Sequence, residues 1–150
     1  MSTDSRKPEN NASMVQTILR LLLGGALFLA GLGHLSWLRF EFQAQVPSWL
    51  PMDPDLVVVI SGIVEIGLGL SLILLPRYRV AIGWITAVFF ILIFPGNISQ
   101  YVNRIDAFGL DTDLARAVRL LFQPVLVFWA LWCTGAWQAW RESRSKSYRA

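Results

Sequence analysis

Four long apolar stretches, separated by shorter polar segments, dominate the pattern of hydrophobic and polar residues along the chain. They cover about residues 15–38, 56–75, 80–98 and 114–137. Each is close to the roughly 20 residues that an α-helix needs to cross the hydrocarbon core of a bilayer. The pattern therefore predicts an all-α membrane protein with four transmembrane helices.

The segments between the apolar stretches predict how the helices are arranged. Only residues 76–79 separate the second stretch from the third, and so short a link favours an antiparallel pair. We therefore expect an antiparallel four-helix bundle formed by residues 14–140. The polar composition of residues 1–13 predicts a disordered N-terminal tail, and residues 141–150 form a basic C-terminal tail.

The distribution of lysine and arginine predicts the orientation of this bundle. The tails, the start of the first helix and the 76–79 turn carry Arg6, Lys7, Arg20, Arg77, Arg79, Arg141, Arg144, Lys146 and Arg149. The opposite side carries only Arg39, Arg104, Arg116 and Arg119. Because cytoplasmic segments of membrane proteins are enriched in basic residues, this asymmetry places both termini in the cytoplasm.

The amino-acid composition limits which classes of protein and of binding partner fit this chain. Of the 150 residues, 55% are hydrophobic and 15% are charged, whereas soluble domains have about 25% charged residues. The net charge of +3 is interpreted as an orientation signal, so the expected partner is the lipid bilayer and not nucleic acid. Cys133 and His34 are the only residues of their types, which excludes an internal disulfide, a CxxC pair and a bis-histidine haem within one chain. No metal site is predicted.

One ionisable residue, Glu65, lies near the middle of the second apolar stretch. A charge at the centre of a bilayer costs about 2.5–3.5 kcal/mol on insertion scales, so we expect this side chain to face protein or water. Ser61 and Gly69 lie four residues before and after it, on the same face of a helix. We interpret that face as turned toward the other helices.

Polar residues of all four helices gather at the extracytoplasmic end of the predicted bundle. The hypothesis that follows is one polar pocket that opens outward, with Glu65 at its floor. Its predicted ligand-binding residues are His34, Ser61, Glu65, Asn97, Gln100, Arg119 and Gln123.

The same residues also fit structural roles, and the pattern does not decide between the two interpretations. Glu65 could pair with Arg119 or form a hydrogen bond with Ser61, and either contact would hold the bundle together. His34 could form a hydrogen bond to another helix. Asn97 could form hydrogen bonds with backbone groups that the neighbouring proline leaves without a partner.

Four segments resemble the DoxX family of small four-helix membrane proteins. They are GALFLAGLGHL at 25–35, VPSWLP at 46–51, SGIVEIGLGLSLILLPRYRVA at 61–81 and FPGN at 94–97. The resemblance covers about residues 23–134. Family members commonly have alanine at the position of the glycine in FPGN.

The resemblance implies a four-helix membrane fold, and it implies less about function because the relatives have different roles, among them redox subunits and assembly factors. Some relatives are the small membrane subunit of a thiosulfate:quinone oxidoreductase. A redox-associated membrane subunit that binds a quinone, or another small lipophilic ligand, is therefore the first functional expectation. The chain has no flavin or nucleotide motif of its own, so electrons would come from a partner redox protein. We assign the chain no catalytic residue, no cofactor of its own and no catalytic activity of its own.

The alternative is a non-enzymatic membrane assembly factor or partner subunit for another membrane protein. The glycine-rich faces of the first helix suit helix–helix contact, with another protein or in a homo-oligomer. Transport ranks last, because four helices enclose little space and no inverted repeat is visible. The expected location is a bacterial inner membrane, with the chain crossing it several times.

Overall fold

The computed structural model describes residues 12–147, and this part of the chain is helical with no strand. Its α-helices are α1 (Met14–Leu35), α2 (Arg39–Gln43), α3 (Pro54–Leu74), α4 (Arg79–Val102), α5 (Asp113–Cys133) and α6 (Ala136–Ser147). A 3-10 turn, Pro76–Tyr78, connects α3 to α4. Most of the predicted N-terminal tail lies outside the described residues, whereas residues 141–147 of the predicted C-terminal tail belong to α6.

Four helices are long and apolar enough to cross a membrane. They are α1, α3, the 3-10 turn together with α4, and α5. The all-helical class and the four candidate spans predicted from the sequence are confirmed. The fourth apolar stretch differs from the prediction, because α5 ends at Cys133 and α6 begins at Ala136. Gly135 between them has φ +75°, a left-handed conformation that ends many helices.

Polar side chains cap the starts of α1, α3 and α5. Ser13 and Gln16 form a reciprocal capping box at the start of α1. Asp53 accepts a hydrogen bond from the backbone N–H of Leu56, and Thr112 caps α5 in the same way. These caps satisfy N–H groups that have no partner within the helix.

Glycines bring α1 and α3 into direct backbone contact. A Cβ atom built at Gly31 would lie 2.6 Å from the carbonyl oxygen of Gly62, and one at Gly69 would lie 2.6 Å from the carbonyl oxygen of Gly24. Both distances are too short for a carbon atom, so only glycine fits. α1 therefore makes its most extensive contact with α3. The most extensive contact of α4 is with α5.

The two helix pairs, α1/α3 and α4/α5, meet through an apolar core. Its buried residues are Leu23, Leu27, Leu68, Leu72, Ile82, Ala87, Phe90, Ala130 and Cys133. At the edge of this core, Arg20 is 5% exposed and donates a hydrogen bond to the carbonyl oxygen of Leu72. Since the last carbonyls of α3 have no partner within the helix, Arg20 caps that end. The opposite end of the molecule is less tightly filled.

Candidate ligand-binding cavity

A cavity of about 870 Å³ lies between the pair α1/α3 and the pair α4/α5. Its walls are mostly leucine, valine, isoleucine and phenylalanine, and α2 with the segment that follows it covers one end. Pockets of about 300–1,000 Å³ with apolar walls and a few polar groups are typical sites for small molecules. The cavity therefore has the size and lining of a ligand site.

The structure brings six of the seven predicted site residues to the wall of this cavity. α1 contributes His34, α3 contributes Ser61 and Glu65, α4 contributes Asn97, and α5 contributes Arg119 and Gln123. Their positions agree with the expected pocket, while their role in binding a ligand stays a prediction.

Gln100 is the predicted residue that does not line the cavity. Its side chain is 1% exposed and lies behind the wall. Its amide nitrogen donates to the carbonyl oxygen of Ile105 at 3.3 Å, and its amide oxygen accepts from the side chain of Gln45 at 3.3 Å. Gln100 thus holds the segments after α2 and after α4 in place, which is a structural task.

Glu65 and His34 lie side by side in the interior. Oε2 of Glu65 is 2.9 Å from Nδ1 of His34, and both residues are buried. Nδ1 also lies 2.9 Å from the carbonyl oxygen of Ala30. The role of Nδ1 in these two contacts depends on which ring nitrogen of His34 carries the hydrogen. Oε2 of Glu65 is close to His34, is buried and has no hydrogen-bond partner among the described residues.

The two alternative partners suggested for Glu65 are wrong for the described part of the chain. Arg119 forms no ion pair there; its guanidinium carbon lies 4.6 Å from the centre of the Phe108 ring instead. The hydroxyl of Ser61 likewise has no hydrogen bond to Glu65 or to any other described residue. The neighbour of Glu65 is His34, on the adjacent helix.

An aromatic column joins His34 to Arg119 along one side of the cavity. The ring of Phe42 stacks on His34 with centroids 3.4 Å apart, and Phe108 meets Phe42 edge-on at 4.7 Å. The guanidinium of Arg119 lies over the ring of Phe108. We use the name aromatic column for His34, Phe42, Phe108 and Arg119. Phe42 and Phe108 are absent from the residues predicted from the sequence, and their aromatic character within polar segments is the signal that could have pointed to them.

Asn97 and Gln123 connect α4 to α5 where α4 contains Pro95. The side-chain nitrogen of Asn97 donates to Oε1 of Gln123 at 2.8 Å. Gln123 in turn donates to the carbonyl oxygen of Phe90 at 2.7 Å. Both polar atoms of Gln123 are therefore in use within the protein, which favours the structural interpretation of this pair.

The amino-acid sequence matches the model of a known protein family. The model of a family described as a domain of unknown function, DUF8561, matches residues 23–134. The chain belongs to this family. No curated protein and no solved structure matches it. The DUF8561 domain contains α3, α4, α5, most of α1 and every cavity-lining residue named above. The DoxX resemblance stays a prediction.

Within the DUF8561 domain, Arg116 organises the loop that carries Phe108. Its guanidinium is buried and contacts Asp106 at 2.5 Å and Asp113 at 3.1 Å. Glu41 on α2 accepts a hydrogen bond from the backbone N–H of Phe108. Phe108 has φ +58°, an uncommon conformation for a large side chain, and these contacts hold it there. The loop thereby keeps the aromatic column in place.

The titratable residues of the described DUF8561 domain do not form a metal-binding cluster. No group of three or more histidine, cysteine, aspartate or glutamate side chains in residues 12–147 could hold a metal ion. The polar groups that remain available at the cavity include the Glu65 carboxyl group, the Ser61 hydroxyl and the Arg119 guanidinium. Together they can donate and accept hydrogen bonds to a bound molecule.

We expect Asn97→Leu and Gln123→Leu to be coupled in their effects on stability. Each single replacement leaves the other side chain buried without its partner, at a cost of about 1–2 kcal/mol in the free energy of unfolding. The double variant should lose less than the sum, with a coupling energy of about 0.6 kcal/mol and at most about 1.7 kcal/mol. Unfolding by SDS titration in mixed micelles measures the cycle. Strict additivity would show that the hydrogen bond contributes nothing.

Proposed function

We propose that this DUF8561 protein is a multi-pass membrane protein of DoxX type that binds a small lipophilic molecule between its two helix pairs. The observation that carries the proposal is the cavity of about 870 Å³, whose walls are mainly apolar and whose polar groups are only partly used by the protein. Apolar molecules with a small polar head match such a lining.

The proposed topology is an antiparallel bundle with both termini on the cytoplasmic side of a bacterial inner membrane. The pairing of Gly24 with Gly69 and of Gly31 with Gly62 supports opposite directions for α1 and α3. The three-residue turn between α3 and α4 supports the same relation for the next pair. The excess of basic residues in the tails and in that turn supports the orientation. The cavity then faces the extracytoplasmic side.

The polar residues divide into two groups in this proposal. Glu65, Ser61 and Arg119 keep free donors or acceptors and would contact the ligand. Asn97 and Gln123, like Gln100, are engaged with the protein and would shape the wall. A quinone suits this arrangement, because its ring oxygens accept hydrogen bonds of the kind Arg119 donates. Electrons would then pass to or from a partner redox protein.

We expect a soluble ubiquinone analogue to bind the purified protein saturably, and Ala30→Trp to abolish that binding by filling the cavity. Ala30 lines the cavity, whereas Val88 on α4 is 50% exposed and lies outside it. Val88→Trp therefore adds the same side chain as a matched control and should leave binding unchanged. Isothermal titration in nanodiscs measures both affinities. Equal binding by the two variants, or no saturable binding to the wild type, would reject the cavity as the ligand site.

The alternative of an assembly factor or partner subunit has less support from the packing. Of the four glycines of α1, Gly24 and Gly31 are buried against α3 within the same chain and are therefore not available to another protein's helix. Gly33 packs against Leu38 and Phe42, whereas a Cβ atom at Gly25 would meet nothing within 4 Å. Co-purification of a stoichiometric protein partner in mild detergent would support this alternative.

A further inference from the structure

Arg119 stands out among the arginines near the mouth of the cavity because it has no carboxylate partner among the described residues. The other arginines at this end are paired: Arg39 with Asp55, Arg104 with Asp113, and Arg116 with both Asp106 and Asp113. Arg119 is half-buried and lines the cavity, so its charge is neither fully solvated nor compensated. A guanidinium in that state favours an anion.

The aromatic contact of Arg119 leaves its hydrogen-bond donors unused. The Phe108 ring attracts the cation through its face but accepts none of its five N–H groups in the usual way. No described residue accepts a hydrogen bond from this side chain. The donors are therefore available to a molecule in the cavity.

Glu65 does not supply the missing negative charge. Its carboxylate lies beside His34, at the opposite end of the aromatic column, and the rings of Phe42 and Phe108 stand between His34 and Arg119. The two ends of the column thus differ: one holds a carboxylate beside an imidazole, and the other holds a single unpaired cation.

The surroundings of Arg119 match an amphiphile better than a soluble ion. Arg119 lies six residues after the start of α5, or about 9 Å along the helix axis at 1.5 Å per residue. Beyond it the residues of α5 that line the cavity are Phe122, Gln123 and Leu126, and both polar atoms of Gln123 are already bonded within the protein. Leu29, Leu92 and Phe122 line the cavity and are also 62%, 71% and 51% exposed, on helices apolar enough to face lipid. The cavity is therefore open toward the region that hydrocarbon chains occupy.

We propose that Arg119 binds the carboxylate or phosphate head of a single-chain lipid whose hydrocarbon tail occupies the apolar cavity. This inference rests on the ligand-binding function proposed above and adds the charge and position of the head group. The tail enters sideways, past the exposed rim residues, while the head stays at the depth of Arg119. Ser61 lines the same cavity and offers a hydroxyl to the head or to a neighbouring oxygen.

The test compares three probes on the full chain in nanodiscs of phosphatidylcholine: hexadecyl phosphate, hexadecanol and inorganic phosphate. Native mass spectrometry counts bound probe at each concentration. The wild type should bind hexadecyl phosphate at least about tenfold more tightly than hexadecanol, because a charge-assisted hydrogen bond contributes that much. Inorganic phosphate should neither bind saturably nor displace the lipid.

Three substitutions complete the test. Arg119→Gln should bring the affinity for hexadecyl phosphate down to that for hexadecanol, which itself should not change. Arg104→Gln removes the same charge from an exposed arginine at the same end and should have no effect. Arg119→Lys keeps the charge and should keep a preference for the phosphate, which separates charge recognition from a folding defect.

The outcomes distinguish this inference from the proposed function. Equal binding of hexadecyl phosphate and hexadecanol, or an unchanged preference in Arg119→Gln, would overturn the anionic head while leaving a lipophilic site in place. Saturable binding of inorganic phosphate alone would overturn the lipid assignment. Failure of both lipids and of the ubiquinone analogue to bind would overturn the inference together with the proposed function.

Discussion

Replacing Gly31 by alanine is expected to lower the free energy of unfolding by about 1–3 kcal/mol, the usual cost of overpacking a filled contact. Alanine is the better helix former, so its intrinsic propensity opposes this loss. The new Cβ would lie 2.6 Å from the carbonyl oxygen of Gly62 and 2.7 Å from the Ile66 side chain. Backbone cannot rotate out of the way as a side chain can, so α1 and α3 would have to separate.

Gly25 provides the matched control on the same helix. A Cβ at Gly25 meets nothing within 4 Å. Gly25→Ala should therefore stabilise the protein by about 0.5–1 kcal/mol, the difference in helix propensity between the two residues. SDS titration in mixed micelles measures both variants. Effects of the same sign at positions 25 and 31 would contradict direct backbone contact between the helices.

Replacing His34 by phenylalanine is expected to lower the free energy of unfolding by about 1–3 kcal/mol, the cost of leaving a buried polar group without a polar partner. Phenylalanine keeps a ring to stack on Phe42, so the change isolates the loss of Nδ1 beside the Glu65 carboxylate. Glu65 would be left buried at bilayer depth without a polar neighbour, and such a residue is strongly unfavourable in hydrocarbon.

A thermodynamic cycle with Glu65→Gln identifies the origin of that cost. Gln removes the charge at position 65 and keeps the shape, so adding it to His34→Phe should recover a large part of the lost stability. On the wild-type background Glu65→Gln should cost less than His34→Phe. If the double variant is as unstable as His34→Phe alone, the cost comes from packing around the ring and not from an unpaired carboxylate.

The helices and the composition of the cavity wall follow from local features of the sequence. Length and hydropathy are sufficient to define the four candidate spans, and Thr112 is recognisable as an N-cap because it precedes an apolar periodic segment. Polar residues at helix ends, such as His34 and Arg119, can be assigned to one rim once helix directions are assumed. These predictions require only knowledge of each helix by itself.

The partners of each polar group depend on how the helices pack, which local features do not specify. Gln100 belongs to the same polar stripe as Asn97 on α4, yet one faces a loop and the other the cavity. Arg116 and Arg119 lie three residues apart on α5. Asp113 of the same helix pairs with Arg116, whereas the conformation of the 103–112 loop brings Asp106 to Arg116 and the Phe108 ring to Arg119. That loop has no hydropathy period from which its path could be predicted.

The glycine contact between α1 and α3 limits how the cavity can widen to hold ligands of different width. Because the two backbones touch directly at the glycines, this pair should move as a rigid body. α1 meets α5 over a smaller area than it meets α3. Swelling of the interior should therefore occur as a hinge-like spreading of one helix pair from the other, with the α3–α4 turn as its pivot.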